Sequence, residues 1–333
     1  MNGIALFTWR LHGIAAMEIR ERASNNIDKS SGRGPAMALH DYLRDEILEE
    51  AELGYISVHE RNCMLAAFDA VESVRDSNVN KASATGAQYT AGESQNPISD
   101  SDPDLITARV KAKGNQSEVS AYMAKPRKGS GHAAVVVVHE NKGLTPHIED
   151  VTRRLAREGF VAIAPDLLSR RGGTSQFSNP ADATAALKDI RGQELVDDLM
   201  TVVSVLASDE SVQPQRIGVV GFCFGGGMAW RLITQDSRIK AAVPYYGVNP
   251  NLKYVPAIQA SVLAIYGELD DRVNAGIAEI TETMEQNHKT FEKVIYPGAQ
   301  HAFHNDTNPG RYHPEAARLA WQRTLEWLKL WLE

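Results

Sequence analysis

Two kinds of hydrophobic pattern run along the chain, and one gives way to the other near residue 105. Before it, apolar positions recur at helical spacing. Leu39, Leu43 and Ile47 repeat every four residues and stop near Gly54, which predicts a helix from Met37. A second helix is predicted from Ser57. Glu60 would complete its capping box, and Met64, Leu65, Phe68 and Val71 would form its apolar stripe. Residues 1–36 read as a flexible lead-in. Residues 80–104 contain one branched aliphatic side chain, Ile98. That is too little apolar surface to offset the entropy of ordering, so the stretch reads as a linker.

From Leu105 the pattern predicts alternating strands and helices. The segments LITARVKA and SEVSAYMAK flank Gly114-Asn115 and predict a β-hairpin. The run from Ala133 to Val138 is continuously apolar and β-branched, as in a strand buried on both faces of a parallel sheet. A helix over 148–158 should stop at Gly159, followed by a strand over 160–164 and helices over 180–190 and 192–207. Strands are predicted over 217–220, 241–243, 262–265 and 294–296, with a helix over 273–287 before the last. A final amphipathic helix, 315–332, carries Leu319, Trp327, Leu328 and Trp331; Trp321, Trp327 and Trp331 should pack it on the sheet. This alternation means one open, mostly parallel α/β sheet. The expected plan is an N-terminal helical extension over 1–79, a linker over 80–104 and an α/β domain over 105–333. No internal repeat is visible.

Composition narrows the class. The 333 residues are 43% apolar and 23% charged, which suits a folded globular chain. A formal net charge of −7 argues against a general nucleic-acid or anionic-membrane binder, since both need a basic face. No apolar run approaches the ~18–20 residues of a membrane span. Two cysteines, Cys63 and Cys223, cannot make a disulfide framework. With no basic segment ahead of the apolar N-terminus, a cytoplasmic location is expected.

In such sheets reactive groups gather at the carboxyl ends of strands. Gly221-Phe222-Cys223-Phe224-Gly225 follows a buried strand and has the G-x-S-x-G spacing of a nucleophile elbow, with Cys for Ser. A helix N-terminus beneath that cysteine would favour a thiolate and an oxyanion. The bland reading is a buried cysteine beside a Gly-rich phosphate loop, but the G-x-x-x-x-G-K-[ST] spacing is missing. Asp270 lies in a loop after the strand over 262–265, where an acid can orient an imidazole or simply cap a helix. His301 follows the last strand. The chain order Cys223, Asp270, His301 is that of nucleophile, acid and histidine in the α/β-hydrolase fold. Glu140 ends the central strand over 133–138, where a carboxylate needs a partner. His139 and His304 lie nearby, yet no cluster has metal-ligand spacing. Asp271 is expected to face solvent or cap the 273–287 helix. Tyr246 could line the pocket, with packing as its plainer role.

Together, H-E-N-K-G (139–143), A-P-D-L-L-S-R (164–170), G-F-C-F-G-G-G (221–227), G-E-L-D-D-R-V (267–273) and Q-H-A-F-H (300–304) resemble the dienelactone hydrolase, or carboxymethylenebutenolidase-like, family over about residues 105–333. The resemblance implies an α/β-hydrolase fold and a hydrolase of small esters or lactones. It implies Cys223 as nucleophile, His301 as general base and Asp270 as its orienting acid. Glu140 would help generate the thiolate as substrate binds. The backbone N–H groups of Phe224 and Asn141 would form the oxyanion hole. No metal or organic cofactor is implied. In the family's type enzyme an arginine four residues after the histidine helps bind the substrate carboxylate; here that position is Asn305. Arg170, Arg171 and Arg311 are candidate substitutes, each also readable as a solvated surface arginine. A broad carboxylesterase and a thiol redox sensor are the other readings, together with a non-catalytic ligand-binding protein on the same fold. The oligomeric state stays open, a homodimer included.

Overall fold

A computed structural model of the protein describes residues 97–114 and 118–332. The two N-terminal helices expected from Met37 and Ser57, Cys63, the stretch 80–96 and the hairpin tip at 115–117 lie outside the described residues.

The hairpin forms as β1 (Leu105–Lys113) and β2 (Glu118–Pro126), paired antiparallel from Leu105 opposite Pro126 to Lys113 opposite Glu118. Six further strands follow: β3 (His132–Val138), β4 (Val161–Pro165), β5 (Val212–Phe222), β6 (Ile239–Tyr245), β7 (Ser261–Gly267) and β8 (Phe291–Tyr296). The sheet order is β1-β2-β4-β3-β5-β6-β7-β8, antiparallel across β1–β2–β4 and parallel beyond.

The valine run explains the layering. Successive side chains of a strand point to opposite faces. Val136 and Val138 join the apolar cluster on one face, Val135 and Val137 the cluster on the other. The first cluster takes in α2 (Pro180–Lys188), α3 (Gly192–Ala207), α4 (Phe224–Ile233) and α6 (Ile277–Gln286). The second takes in α1 (Pro146–Arg157) and α7 (Pro314–Leu332). Helices therefore cover both faces of the mostly parallel sheet, the α/β-hydrolase architecture that the sequence predicts.

Several elements differ from their expected extents. The helix expected over 273–287 breaks into α5 (Asp271–Asn274) and α6 at Ala275-Gly276. There the Asn249 side chain donates to the Gly276 carbonyl at 2.7 Å, and a Cβ at Gly276 would lie 2.6 Å from that amide nitrogen. Strand β5 reaches well beyond 217–220, because Gln213, Pro214 and Gln215 near its start are exposed and carry no apolar signal. On α7, Trp327 and Leu328 are buried, and the Trp327 indole donates to the Ser261 carbonyl at 3.1 Å. Leu319 and Trp331 instead face solvent.

Residues 97–104 are anchored on the domain. Asp150 on α1 accepts from the Ile98 backbone N–H at 2.8 Å, and Arg153 donates to the Ile98 carbonyl at 2.5 Å. The Tyr122 hydroxyl donates to Asp100.

Candidate active site

The turn after β5 is shaped by close backbone packing. Cys223 has φ 57° and ψ −112°, a conformation that few L-residues adopt and that turns the strand sharply into α4. A Cβ at Gly221 would lie 2.1 Å from the Gly225 carbonyl oxygen, and one at Gly225 would lie 2.2 Å from that of Val138. Only glycine permits this contact between strand, turn and helix. The elbow spacing thus records a steric need. It places the Cys223 sulfur at the N-terminus of α4, where the Phe224 N–H is directed at it.

Two other strand ends converge on that sulfur. The loops after β7 and β8 are laced together: Glu268 N–H donates to the Tyr296 carbonyl at 3.0 Å and Leu269 N–H to that of Ala299 at 2.9 Å. A Cβ at Gly267 would meet the Ala299 carbonyl oxygen at 2.6 Å, so the loops approach at backbone distance. This lacing brings Asp270 to His301. The His301 Nδ1 lies 2.5 Å from Asp270 Oδ2, and its Nε2 lies 2.9 Å from Cys223 Sγ. A carboxylate only accepts, so Nδ1 carries the proton and Nε2 is left to accept from the thiol. Asp271 is exposed in the first turn of α5.

The thiol is half-buried. Burial and then the Glu140 charge push its pKa up to about 11, while the Phe224 N–H and the Arg272 guanidinium act the other way. Tyr246 sits behind His301, with ring centroids 5.1 Å apart and a φ of 37°. Burial, Glu140 and Cys223 raise its phenol well above the ordinary value, so it stays protonated.

Glu140 is buried at the end of β3, and its Oε2 accepts from Asn305 Nδ2 at 2.6 Å. His139 staples this corner. The Leu167 N–H donates to its Nε2 at 3.1 Å, which leaves Nδ1 to donate to the Glu140 carbonyl at 2.6 Å. Burial lowers the pKa of His139, consistent with that neutral tautomer. The A-P-D-L-L segment builds the adjoining wall. Asp166 accepts from the Leu168 N–H and from both the backbone and hydroxyl of Thr174, whose hydroxyl oxygen in turn accepts from the Leu144 N–H at 2.8 Å. Asn141 follows Glu140, with its carbonyl held by the Thr184 hydroxyl at 3.0 Å.

The sequence profile of the dienelactone hydrolase family matches residues 119–332. The chain belongs to the dienelactone hydrolase family. A Salmonella typhimurium relative named "Putative carboxymethylenebutenolidase" is 37% identical over 244 residues, covering 68% of this chain and 88% of its own. A Methylorubrum extorquens relative of the same name is 32% identical over 237 residues, 68% of this chain and 81% of its own. A solved Klebsiella pneumoniae structure, described as a "Putative Dienelactone Hydrolase", superposes with a TM-score of 0.63 at 30% identity, covering 68% of this chain and 99% of that one. The protein is a hydrolase of esters or lactones.

Around this candidate site the arginines expected from the sequence go different ways. Arg170 clasps Asp198 of α3 through two hydrogen bonds of 2.8 Å. Arg171 is exposed and reaches the Asp189 carbonyl at 3.5 Å. Arg311 is exposed in the loop before α7. His304 is buried against Phe222, Tyr245 and Trp321. Among the described residues no three His, Cys, Asp or Glu side chains converge to hold a metal ion. No helix among them is long and apolar enough to cross a membrane. Asp166, Thr174 and Arg272 were not singled out in the sequence as site residues. Asp166 and Arg272 lie inside the motifs A-P-D-L-L-S-R and G-E-L-D-D-R-V, whereas Thr174 carried no local signal.

Proposed function

We propose that the protein hydrolyses small carboxylic esters or lactones through a thioester on Cys223. The observation that carries this reading is the chain of contacts from Asp270 to His301 to Cys223, at 2.5 and 2.9 Å, at the N-terminus of a helix. As the sulfur attacks the ester carbonyl, His301 Nε2 takes the thiol proton. The N–H groups of Phe224 and Asn141 receive the oxyanion. The imidazolium then protonates the leaving alkoxide and the thioester remains. Water, deprotonated by His301, attacks the thioester, and Cys223 leaves as thiolate and recovers the proton. For a lactone the leaving group stays tethered and the product is a ring-opened acid.

Glu140 has a second part in this reading. Burial and then its charge oppose ionisation of Cys223, so the resting site holds a thiol; with substrate bound, the same carboxylate receives the thiol proton on its way to His301 Nε2, which holds it for the leaving alkoxide.

Arg170 is engaged by Asp198. That favours, as second reading, a broad carboxylesterase for uncharged esters over a reader of anionic lactones. Turnover of p-nitrophenyl acetate with and without iodoacetamide pretreatment tests the hydrolytic reading, with mass spectrometry of an acyl adduct on Cys223. Turnover that survives alkylation would sink it. A non-catalytic binding protein would show no turnover at all. A thiol redox sensor would react with peroxide and leave the ester intact.

A further inference from the structure

Asn305 lies in the turn after His301, buried at 6% exposure, and its side-chain amide is used on both sides. Its Oδ1 accepts from the Thr307 backbone N–H at 3.0 Å and from the Thr307 hydroxyl at 2.6 Å. Two donors on the oxygen leave the amide one orientation, with the NH₂ group turned to Glu140 Oε2 at 2.6 Å. The turn beneath is fixed in turn by Asp306. It is held by Arg154 at 2.9 Å and His147 at 3.0 Å, both on α1.

We infer that Asn305 is a positioning residue for Glu140: oriented by Thr307, its amide holds the carboxylate as a hydrogen-bond acceptor beside Cys223. An NH₂ group can only donate, so it engages Oε2 as an acceptor and fixes the side-chain rotamer. The tether is uncharged. Glu140 can therefore leave it for the thiol proton without breaking an ion pair. The other titratable groups near the carboxylate are the Cys223 thiol in the turn before α4 and the Tyr246 phenol after β6. His139 bonds its backbone carbonyl, and His301 contacts the sulfur at 2.9 Å.

The inference rests on the proposed role of Glu140 in ionising the thiol. It is tested by the pH profile of kcat/KM on p-nitrophenyl acetate, from about pH 5 to 8, for wild type, Asn305→Asp, Asn305→Ala and Glu140→Gln. Asn305→Asp sets a second carboxyl against Glu140, and the pair then shares a proton. The acid limb should move up by about one pH unit or more, roughly a tenfold loss at the acid end. Asn305→Ala should move it the same way by less. In the Asn305→Asp, Glu140→Gln double variant the displacement should vanish, which a purely structural defect would not produce. A wild-type acid limb in both single variants, or a loss equal at every pH, overturns the positioning role. If Asn305→Asp fails to fold, Asn305→Ala decides alone. Wild-type kinetics in Glu140→Gln would instead overturn the underlying role of Glu140.

Discussion

The Cβ position of Gly225 would lie 2.2 Å from the carbonyl oxygen of Val138, so the first turn of α4 rests on the end of β3. Two backbones in contact leave no flexible side chain to give way. Gly225→Ala should therefore destabilise the domain by about 3 kcal/mol or more. Gly227→Ala is the control, because its Cβ would meet the Val248 side chain at 3.1 Å and backbone no nearer than 3.6 Å. Urea denaturation of both variants checks the contrast. Equal midpoints would refute the steric account of the elbow.

Cys223→Ala and His301→Ala should each reduce kcat/KM for p-nitrophenyl acetate on the order of 10³-fold or more, and the double variant hardly further, because the groups act as a unit. Asp270→Asn should be severe and Asp271→Asn mild, since only Asp270 contacts His301. The reverse order would reassign the acid.

A thiol whose pKa is pushed up to about 11 is overwhelmingly protonated at neutral pH. Iodoacetamide should alkylate the unliganded enzyme slowly at pH 7, with a rate that climbs about tenfold per pH unit toward the pKa. The Glu140 charge is the second-largest contribution to that raised value. Glu140→Gln should accordingly alkylate faster than wild type at the same pH while acylating more slowly. Rapid alkylation of wild type at pH 7, matched by a fully active Glu140→Gln, would make Cys223 a permanently ionised group.

Asp306 is caged by Arg154 and His147, and its pKa is depressed far below the usual carboxylate range by their hydrogen bonds and charges, which outweigh its burial. A depressed carboxylate stabilises the fold above its unfolded pKa of ~4, and that contribution is lost as pH falls toward the folded value. Asp306→Asn should cost about 3 kcal/mol near pH 7, as when one partner of a buried pair is removed. It should also lose less stability than wild type on acidification from about pH 5 to 3. Melting temperatures across that window check both statements, and parallel acid slopes would contradict them.

Much of this arrangement was readable from local signals. The Val135–Val138 run marks a strand buried on both faces, because a β-branched apolar stretch has no polar side to offer solvent. The glycines around Cys223 mark the elbow, because backbone packing there excludes any Cβ. The order Cys223, Asp270, His301 follows from successive strand ends opening on one edge of a parallel sheet. Other features had no local signature. Gly276 reads like a tolerated helical glycine, yet Asn249, 27 positions away, ends the helix there. Arg170 reads like a free cation, yet Asp198, 28 positions on, binds Nε and Nη2 along one edge of its guanidinium. Glu140 and Asn305 stand 165 positions apart, and nothing in either segment announces the other. Periodicity and steric exclusion act between neighbours in sequence, so the chain itself declares them. A side chain's partner is chosen by which loops the sheet order brings together, and only the folded topology decides that.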